Sequence, residues 1–218
     1  HLQLPASHVD MEFLRRGESF DGSSVPGYAR LEAGDMSLRP DPTTGFEDPF
    51  CEIPTVSVLC SIVEADTGAP CARDPRGICL RAEEHLRKTG LGTRSVWGPE
   101  LEFYVFDRVE RGSGQNFAGY RVDSDEASWK GSESDRRELG HGLRSGGGYH
   151  ACPPLDRSAD LRAEACDILE RIGVPIRYHH HEVGAPGQSE IEPAMGPMLR
   201  MGDAIMLIKY VVRRVADR

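Results

Sequence analysis

The pattern of hydrophobic and polar positions changes near residue 50. Up to about Phe50, Gly and Pro recur at spacings that exclude long helices, so short strands and loops are predicted there. The stretch TVSVLCSIV (55–63) then alternates, with apolar side chains at every even-numbered position. A period of two places those side chains on one side of an extended chain, so the stretch is predicted to be a single strand with one buried side.

Two helices are predicted after that strand. The first has Asp74 as its N-cap, Pro75 in its first turn and Gly90 at its C-terminal end. The second covers SADLRAEACDILERIG (158–173), with apolar residues at helical spacing and a final glycine. Strands that alternate with helices indicate an α/β or α+β unit. Residues 111–148 are polar and rich in glycine, which predicts surface loops.

Acidic residues share one face of another predicted strand, GPELEFYVF (98–106). The period of two puts Glu100, Glu102 and Tyr104 on one face, with the intervening apolar residues on the other. A solvated acidic sheet face would explain this pattern as well as a functional one. Glutamate is depleted in strands, however, so a pair within a strongly β-forming run indicates a candidate site.

The stretch HHHEVGAPGQSE (179–190) supplies two more glutamates. If the loop has three residues with Gly187 in the left-handed region, Glu182 lies directly opposite Glu190. Like charges directly opposed in a sheet are destabilising, so such a pair must take up a proton or share a cation. Four carboxylates offer only oxygen ligands, which favours Mg²⁺ or Mn²⁺ over zinc.

The three consecutive histidines alternate between faces. His180 shares the face of Glu182, where it is predicted to meet substrate or phosphate. His179 and His181 point the other way, and the opposite face of such a strand usually packs against the core. We therefore interpret His179 and His181 as packing residues.

Composition narrows the classes of partner. The chain has 35 acidic and 26 basic side chains and a net charge of -9, which argues against nucleic acid or anionic lipid as a partner. It contains no apolar run of membrane-spanning length and no signal-peptide pattern, so a cytoplasmic location without membrane association is expected. Six cysteines without CxxC pairs are predicted to be reduced, buried thiols rather than zinc ligands or disulfides.

The sequence at both ends of the chain indicates that it is a fragment. It begins at His1 without a methionine, and it stops at Arg218 inside an unfinished amphipathic pattern. We therefore expect further residues to belong to the working protein.

Seven motifs occur in the order and at the spacing typical of one family: FDGSSVPGY, GDMSLRPDPTT, DPF, ARDPRGICLRAEEHL, GPELEFYVFD, GGYHACPPLD and HHHEVGAPGQSEIE. On these motifs the chain resembles the glutamine synthetase family of the bacterial class I type. The resemblance implies an α+β fold, with a β-grasp-like domain at residues 1–72, incomplete at its start. The first part of the α/β catalytic domain would follow at residues 73–218. Because family members form stacked rings with active sites between neighbouring subunits, the resemblance also implies a homo-oligomer.

The resemblance implies two metal sites in each active centre, holding Mg²⁺ or Mn²⁺. Glu102, Glu182 and Glu190 match the ligands of the metal nearer to glutamate and ammonia. Glu100 matches a ligand of the second metal, which lies on the ATP phosphates. These four glutamates are therefore the candidate metal ligands.

The resemblance further implies a role for the DGSS segment in binding ammonium. Asp21 matches the aspartate that helps to bind and deprotonate ammonium, and Ser24 matches the serine beside it. Both would serve the site of a neighbouring subunit. Asp-Gly-Ser-Ser is also good turn chemistry, and both roles are compatible.

The implied reaction uses glutamate, ammonium and ATP. The γ-carboxylate of glutamate attacks the γ-phosphate of ATP, and ammonia then displaces phosphate from γ-glutamyl phosphate. Divalent ions suit this chemistry because they neutralise the charge of the phosphoryl group in transfer. The chain ends before the family's remaining site residues, so the fragment alone is expected to be inactive.

Departures from the family pattern leave two alternatives open. Arg177 stands where the family usually has a glutamate near the nucleotide, and Met195 replaces a phenylalanine. One alternative is a relative that ligates glutamate to a polyamine, although an intact Asp21 favours ammonia. The other is a non-catalytic homologue with a role in assembly or regulation. The four glutamates argue against this second alternative, because unused carboxylates at one place repel each other.

Overall fold

The computed structural model describes residues 1–26, 34–128 and 142–218. These residues form two compact units, one of His1–Trp97 with Gly196–Asp203 and the other of Gly98–Met195 with Ala204–Arg218. Among the described residues, no helix has both the length and the hydrophobicity needed to cross a bilayer.

The first unit is built from short elements, as the Gly and Pro pattern predicts for its first part. Its elements are α1 (Met11–Arg16), β1 (Glu18–Asp21), β2 (Asp35–Pro40), β3 (Phe46–Glu47), β4 (Val56–Ser57), β5 (Cys60–Glu64) and α2 (Pro75–Thr89). Antiparallel pairing gives the order β1-β2-β5, and β3 pairs separately with β4. The helix predicted between Asp74 and Gly90 is confirmed: the Asp74 side chain accepts from Gly77 N–H, and Gly90 ends the helix in the left-handed region.

The single strand predicted for TVSVLCSIV is wrong, because β4 and β5 are separate strands. Leu59 leaves the ladder, since its N–H donates to Thr44 Oγ1 and its carbonyl accepts from Asp41 N–H, both at 2.9 Å. The buried side also differs from the predicted one: Val56 is 75% exposed, whereas Val63 is 3% exposed. A neighbouring turn therefore captures the backbone groups that a continuous strand would need.

A half-buried arginine connects three segments of the first unit. Arg76 in α2 donates to Asp203 at 2.9 and 3.0 Å, to Asp41 at 2.7 Å and to Ser61 Oγ at 3.2 Å. A planar guanidinium suits this task because its five N–H groups point in fixed directions. Arg76 thereby fixes α2 against both acidic segments.

The second unit contains the sheet that carries the candidate site. Its elements are β6 (Leu101–Tyr104), β7 (Arg108–Gly114), β8 (Phe117–Asp123), α3 (Ala159–Arg171), β9 (Ile176–His181) and β10 (Gln188–Pro193). The strands β6, β10 and β9 lie in that order and pair antiparallel, with β10 in the centre. The last helix, α4 (Met198–Ala216), begins in the first unit and ends in the second.

Helix α3 covers one face of this sheet. It packs against β9 and β10, and its buried side chains include Ala165, Ile168 and Leu169. From β10, Ile191 is fully buried. His179, His181, Ser189 and Ile191 therefore lie on the side of α3, and the even-numbered residues next to them project to the opposite face. Arg177 does not follow this alternation, because the register shifts beside it between Glu192 and Pro193, and its side chain is exposed.

Surface loops were predicted for residues 111–148, and this prediction is wrong for the first part of the range. Residues 108–123 form a two-stranded antiparallel hairpin, β7–β8. Its strands are exposed along most of their length, so the alternation that marks a half-buried strand is missing from the sequence. Residues 129–141 of the predicted loop lie outside the described residues.

Candidate metal-binding site

The face of the β6-β10-β9 sheet opposite α3 carries a concentration of acidic side chains. On the covered face, Arg162 of α3 donates to Ser189 Oγ at 3.0 Å and to His179 Nδ1 at 3.3 Å, which shows that odd-numbered residues point towards the helix. Apart from Ile176, which lies beyond the register shift, the even-numbered residues of the three strands therefore share the other face, and they are Glu102, Tyr104, Tyr178, His180, Gln188, Glu190 and Glu192.

Glu190 occupies the centre of this face. It lies directly opposite Glu102 on one side and directly opposite His180 on the other. Burial is the main cause that raises the pKa of Glu190; His180 lowers it, and the carboxylates of Glu100, Glu182 and Glu102 raise it again, so that the pKa is raised overall. The arrangement therefore favours either a bound proton or a neutralising cation.

The predicted facing pair of Glu182 and Glu190 is wrong. Glu182 N–H donates to the Gln188 carbonyl at 2.9 Å, and Ser189 pairs with His181, so the loop spans residues 183–187 rather than three residues. Gly187 is in the left-handed region, as predicted, with φ of 86°. The register differs from the predicted one by two residues. Because side chains alternate between the faces of a sheet, a shift of two residues leaves Glu182 and Glu190 on the same face.

His180 lies between two of the glutamates. Its Nδ1 is 3.6 Å from Glu182 Oε1, and its Nε2 is 3.8 Å from Glu190 Oε2. Nδ1 is also 3.0 Å from the His181 carbonyl oxygen, which can only accept, so Nδ1 carries the hydrogen. In the neutral ring Nε2 then keeps its lone pair. The three side chains offer ligand atoms that all lie within 4.8 Å of one another.

A second group of ligand atoms lies on the same face. Oxygens of Glu100, Glu190 and Glu192 also fall within 4.8 Å of one another. Glu192 was not predicted as a site residue, although it follows Glu190 by two positions in the same strand. In GPELEF, a period of two placed the glutamates on one face. The same period in QSEIE (188–192) places Glu192 on the face of Glu190 and would have identified it.

Glu102 is held by a glutamine rather than by a second acid. Gln188 Nε2 donates to Glu102 Oε2 at 2.8 Å, and Gln188 Oε1 accepts from Gly184 N–H at 2.5 Å. Gln188 thereby orients the Glu102 carboxylate and ties it to the loop after β9. Glu102 is exposed and faces Glu190 from the neighbouring strand.

Aromatic rings surround His180. The ring centre of His150 is 4.5 Å away, that of Tyr149 is 5.4 Å away and that of Tyr178 is 5.7 Å away. His150 has a positive φ of 55° and donates its backbone N–H to the His181 carbonyl at 3.0 Å. These contacts restrict the orientation of the imidazole.

A buried hydrogen-bond network on the covered face fixes the strand end that carries Glu182. His181 is fully buried, with Nδ1 2.8 Å from the Glu182 carbonyl and Nε2 2.9 Å from Glu126 Oε2. Glu126 Oε2 also accepts from Gly187 N–H at 2.6 Å. The prediction that His181 is a packing residue is confirmed, with the addition that it forms a buried ion pair.

The environment of Glu126 determines its charge. Burial raises the pKa of this carboxyl, but hydrogen bonds from His181, Arg157 N–H and Gly187 N–H outweigh burial and lower its pKa to about 2. Burial lowers the pKa of His181, yet its bond to Glu126 raises it overall. Glu126 and His181 are therefore both charged at pH values between 4.5 and 6.5, their ordinary pKa values.

Asp21 and Ser24 belong to the first unit, whereas the glutamates belong to the second. Asp21 Oδ1 accepts from Ser23 N–H at 2.8 Å, and Oδ2 accepts from Ser24 Oγ at 2.9 Å. Hydrogen bonds from Ser23 and Ser24 lower the pKa of Asp21, whose side chain is exposed. The turn-forming role of Asp21 is confirmed, and an exposed, ionised carboxylate is available for a cation.

The residues present fit a hard divalent cation. They offer several carboxylate oxygens and one imidazole nitrogen, without a thiolate, on a partly buried face. Mg²⁺ and Mn²⁺ favour such donors, whereas structural zinc sites favour Cys and His. The prediction that the six cysteines are all buried is wrong, because only Cys71 and Cys166 are buried and Cys152 is exposed.

Comparison with known proteins gives two family matches. The model described as the β-grasp domain of glutamine synthetase matches residues 1–65, and the model of the glutamine synthetase catalytic domain matches residues 72–218. The predicted combination of a β-grasp domain with part of this catalytic domain is therefore confirmed. The boundary at residue 72 stays a prediction.

Individual relatives match over almost the whole chain. It is 42% identical over 217 residues to a 3-hydroxylaminophenol mutase of Cupriavidus pinatubonensis, covering 99% of this chain and 46% of that protein. It is 40% identical over 219 residues to a glutamine synthetase of Azotobacter vinelandii, covering 100% of this chain and 47% of that protein. The chain thus spans about half the length of these curated relatives.

A solved structure shares the fold. The cryo-EM structure of a Plasmodium falciparum glutamine synthetase matches with a TM-score of 0.88 at 23% identity, covering 98% of this chain and 42% of that one. Similarity at this level of identity establishes the fold.

Proposed function

Because this chain belongs to the glutamine synthetase family, we propose that the intact protein ligates ammonia to glutamate in an ATP-dependent reaction. The products would be glutamine, ADP and phosphate. The observation that carries this proposal is the position of Glu190, which is buried between Glu102 and His180 with Glu100 and Glu182 nearby.

The glutamates would hold two divalent ions, Mg²⁺ or Mn²⁺. Glu102, Glu182 and Glu190 would bind the ion nearer to glutamate and ammonia, and Glu100 would bind the ion on the ATP phosphates. When bound, these ions neutralise phosphate charge and align the γ-carboxylate of glutamate with the γ-phosphate. Support comes from the clusters that place Glu182 and Glu100 each near Glu190, and from the register, which places Glu102 opposite Glu190. Leaving these carboxylates together without a counter-charge would also be costly.

His180 would contact the phosphate or the substrate. Its ring is oriented by the His181 carbonyl and by neighbouring rings, so it presents Nε2 towards the acidic cluster. A preoriented imidazole can donate a hydrogen bond when protonated or accept one when neutral.

Asp21 and Ser24 would act at the site of a neighbouring subunit in a ring-shaped homo-oligomer. Asp21 would bind ammonium and accept a proton from it, and Ser24 would orient the carboxylate through its hydroxyl, which donates to Oδ2 at 2.9 Å. Hydrogen bonds that keep Asp21 ionised support this role, because a cation needs a charged carboxylate.

The test uses the intact protein with glutamate, ATP, Mg²⁺ and ammonium. Glutamine and phosphate are expected in equal amounts, and omission of any component should abolish both. Parallel reactions replace ammonium with putrescine or spermidine, because a polyamine ligase would prefer those amines. Phosphate release without any amide product would contradict ligation.

A second candidate function comes from the similarity to the 3-hydroxylaminophenol mutase. A further reaction therefore contains 3-hydroxylaminophenol without ATP, glutamate or ammonium. Conversion of this compound, together with failure to form glutamine, would favour the mutase activity. Inactivity in every reaction, with intact metal binding, would favour a non-catalytic homologue.

A further inference from the structure

Glu192 has one carboxylate oxygen that the observed contacts do not explain. The residue is 4% exposed, and its Oε1 accepts from Arg177 Nη1 at 2.7 Å. Its Oε2 is buried and meets no donor at hydrogen-bonding geometry among the described parts of the chain, although the Tyr178 hydroxyl lies close enough to the carboxylate to lower the pKa of Glu192. Buried polar atoms are nearly always satisfied, so an oxygen of this kind indicates a group that binds there.

The position of Glu192 identifies the chemistry of that group. One Glu192 oxygen lies within 4.8 Å of ligand oxygens from Glu100 and Glu190. Oxygens at this spacing can surround a cation that is bonded to each at about 2.0–2.6 Å. Because Arg177 already occupies Oε1, Oε2 is the Glu192 oxygen left for coordination.

We propose that Glu192 is a third carboxylate ligand, with Glu100 and Glu190, of a hard divalent cation such as Mg²⁺ or Mn²⁺. This inference rests on the metal binding in the proposed function and adds a ligand on the opposite side of Glu190 from Glu182. Glu192 is directly opposite Tyr178 in the register, so the added carboxylate extends the acidic face along β10.

Arg177 acts as a positioning residue for this ligand. Its guanidinium holds Oε1 of Glu192, and its central carbon lies 5.0 Å from the centre of the Tyr178 ring. The Arg177 side chain is 56% exposed, whereas that of Glu192 is 5% exposed, so the arginine approaches the carboxylate from the solvent side. Anchoring one oxygen in this way restricts the orientation of the other.

The experiment measures Mn²⁺ binding to the intact protein by electron paramagnetic resonance of free Mn²⁺, without ATP or glutamate. Glu192→Gln keeps the size of the side chain but removes its charge. We expect it to weaken one class of sites about tenfold or more, as loss of a supporting or ligating carboxylate typically does. Glu164→Gln is the matched control, because it removes a surface glutamate paired with Arg218 at 3.0 Å, and it should leave binding unchanged.

A double variant separates metal coordination by Glu192 from simple neutralisation of the Arg177 charge. If Glu192 only neutralises Arg177, the double variant Arg177→Met/Glu192→Gln should bind Mn²⁺ as the unmodified protein does. If Glu192 is a ligand, the double variant should remain at least about tenfold weaker. Should Glu192→Gln fail to fold, Glu192→Asp provides the same test, because it keeps the charge but withdraws the oxygens.

The outcomes distinguish this inference from the proposed function. Unmodified protein that binds no Mn²⁺ would overturn both. Full binding by Glu192→Gln, together with weakened binding by Glu182→Gln, would overturn only the role of Glu192. Full recovery in the double variant would have the same meaning.

Discussion

Glu190 and Glu102 lie directly opposite each other on neighbouring strands, with Glu190 in the centre of the sheet and Glu102 at its edge. Two like charges in this relationship oppose strand pairing. The Glu102 carboxylate is nevertheless held in place by Gln188 at 2.8 Å. The sheet therefore fixes a repulsive pair that a cation would relieve.

The first prediction concerns Glu190→Gln. Without divalent metal, this variant should melt at the same temperature as the unmodified protein or higher, because it loses a charge that burial and three carboxylates oppose. Unmodified protein should be stabilised by about 2.7 kcal/mol when Mg²⁺ reaches a hundred times its Kd, and the variant by much less.

Scanning calorimetry of the intact protein across an Mg²⁺ titration provides the measurement. Glu84→Gln is the control, because Glu84 is exposed and pairs with the exposed Lys88 one helical turn away, at 2.6 Å. Equal metal-induced shifts in Glu190→Gln and unmodified protein would exclude Glu190 as a ligand.

The second prediction tests whether the active site is shared between subunits. Asp21→Asn keeps the short turn that Asp21 caps but removes its charge, so it should lower activity without changing the melting temperature. Glu190→Gln should be inactive for a different reason. Mixing and reassembling the two inactive proteins should recover up to about a quarter of normal activity, because some interfaces then pair two intact halves of a site. Absence of any recovery after confirmed subunit exchange would argue for sites within one subunit.

The third prediction concerns the pH dependence of the Glu126–His181 pair. The pKa of Glu126 is lowered from 4.5 to about 2. Its contribution to folding stability is therefore present above about pH 4.5 and lost as the pH falls towards 2. His181 has its pKa raised above 6.5, so its contribution is present below 6.5 and lost as the pH rises through the folded value. Glu126→Gln should therefore lower the free energy of unfolding most between about pH 4.5 and 6.5, by about 3 kcal/mol.

Urea unfolding of both proteins at several pH values measures this difference. The control is Glu170→Gln, which changes an exposed carboxylate that accepts from Ile176 N–H at 2.6 Å in the same unit. A difference between Glu126→Gln and unmodified protein that does not vary with pH would show that the charge of the pair is unimportant.

The fourth prediction concerns Arg76. Arg76→Met leaves Asp41 and Asp203 near each other without their shared cation, so we expect a loss of about 3 kcal/mol in the free energy of unfolding. Arg76→Lys should recover only part of this, because an ammonium cannot donate along three fixed directions. Chemical denaturation measures both variants, and full recovery by lysine would show that charge alone matters.

Local rules account for much of what the sequence predicted correctly. Asp74 and Gly90 define the limits of α2 through hydrogen bonding and backbone conformation, which depend on adjacent residues. The face shared by Glu100, Glu102 and Tyr104 follows from the period of two alone.

The errors arise where distant residues decide the structure. Leu59 leaves its strand because Thr44 captures its N–H, a contact that no local pattern reveals. The register at Glu182 depends on a five-residue loop held by Glu126 through Gly187, and Glu126 is 61 residues away in the chain. Glu192 was overlooked for a different reason, since its pattern was present but its burial and its pairing with Arg177 were not predictable locally.

The division of the central strand β10 between its two faces has a consequence for how this protein tolerates variation. Ser189 and Ile191 pack towards α3, whereas Glu190 and Glu192 face the acidic side, although all four are buried. A library of single substitutions scored separately for cellular abundance and for activity should therefore alternate along this strand. Changes at 189 and 191 should lower abundance, and conservative changes at 190 and 192 should lower activity in protein that still accumulates. Neighbouring positions in one strand would thus be constrained by different selective pressures.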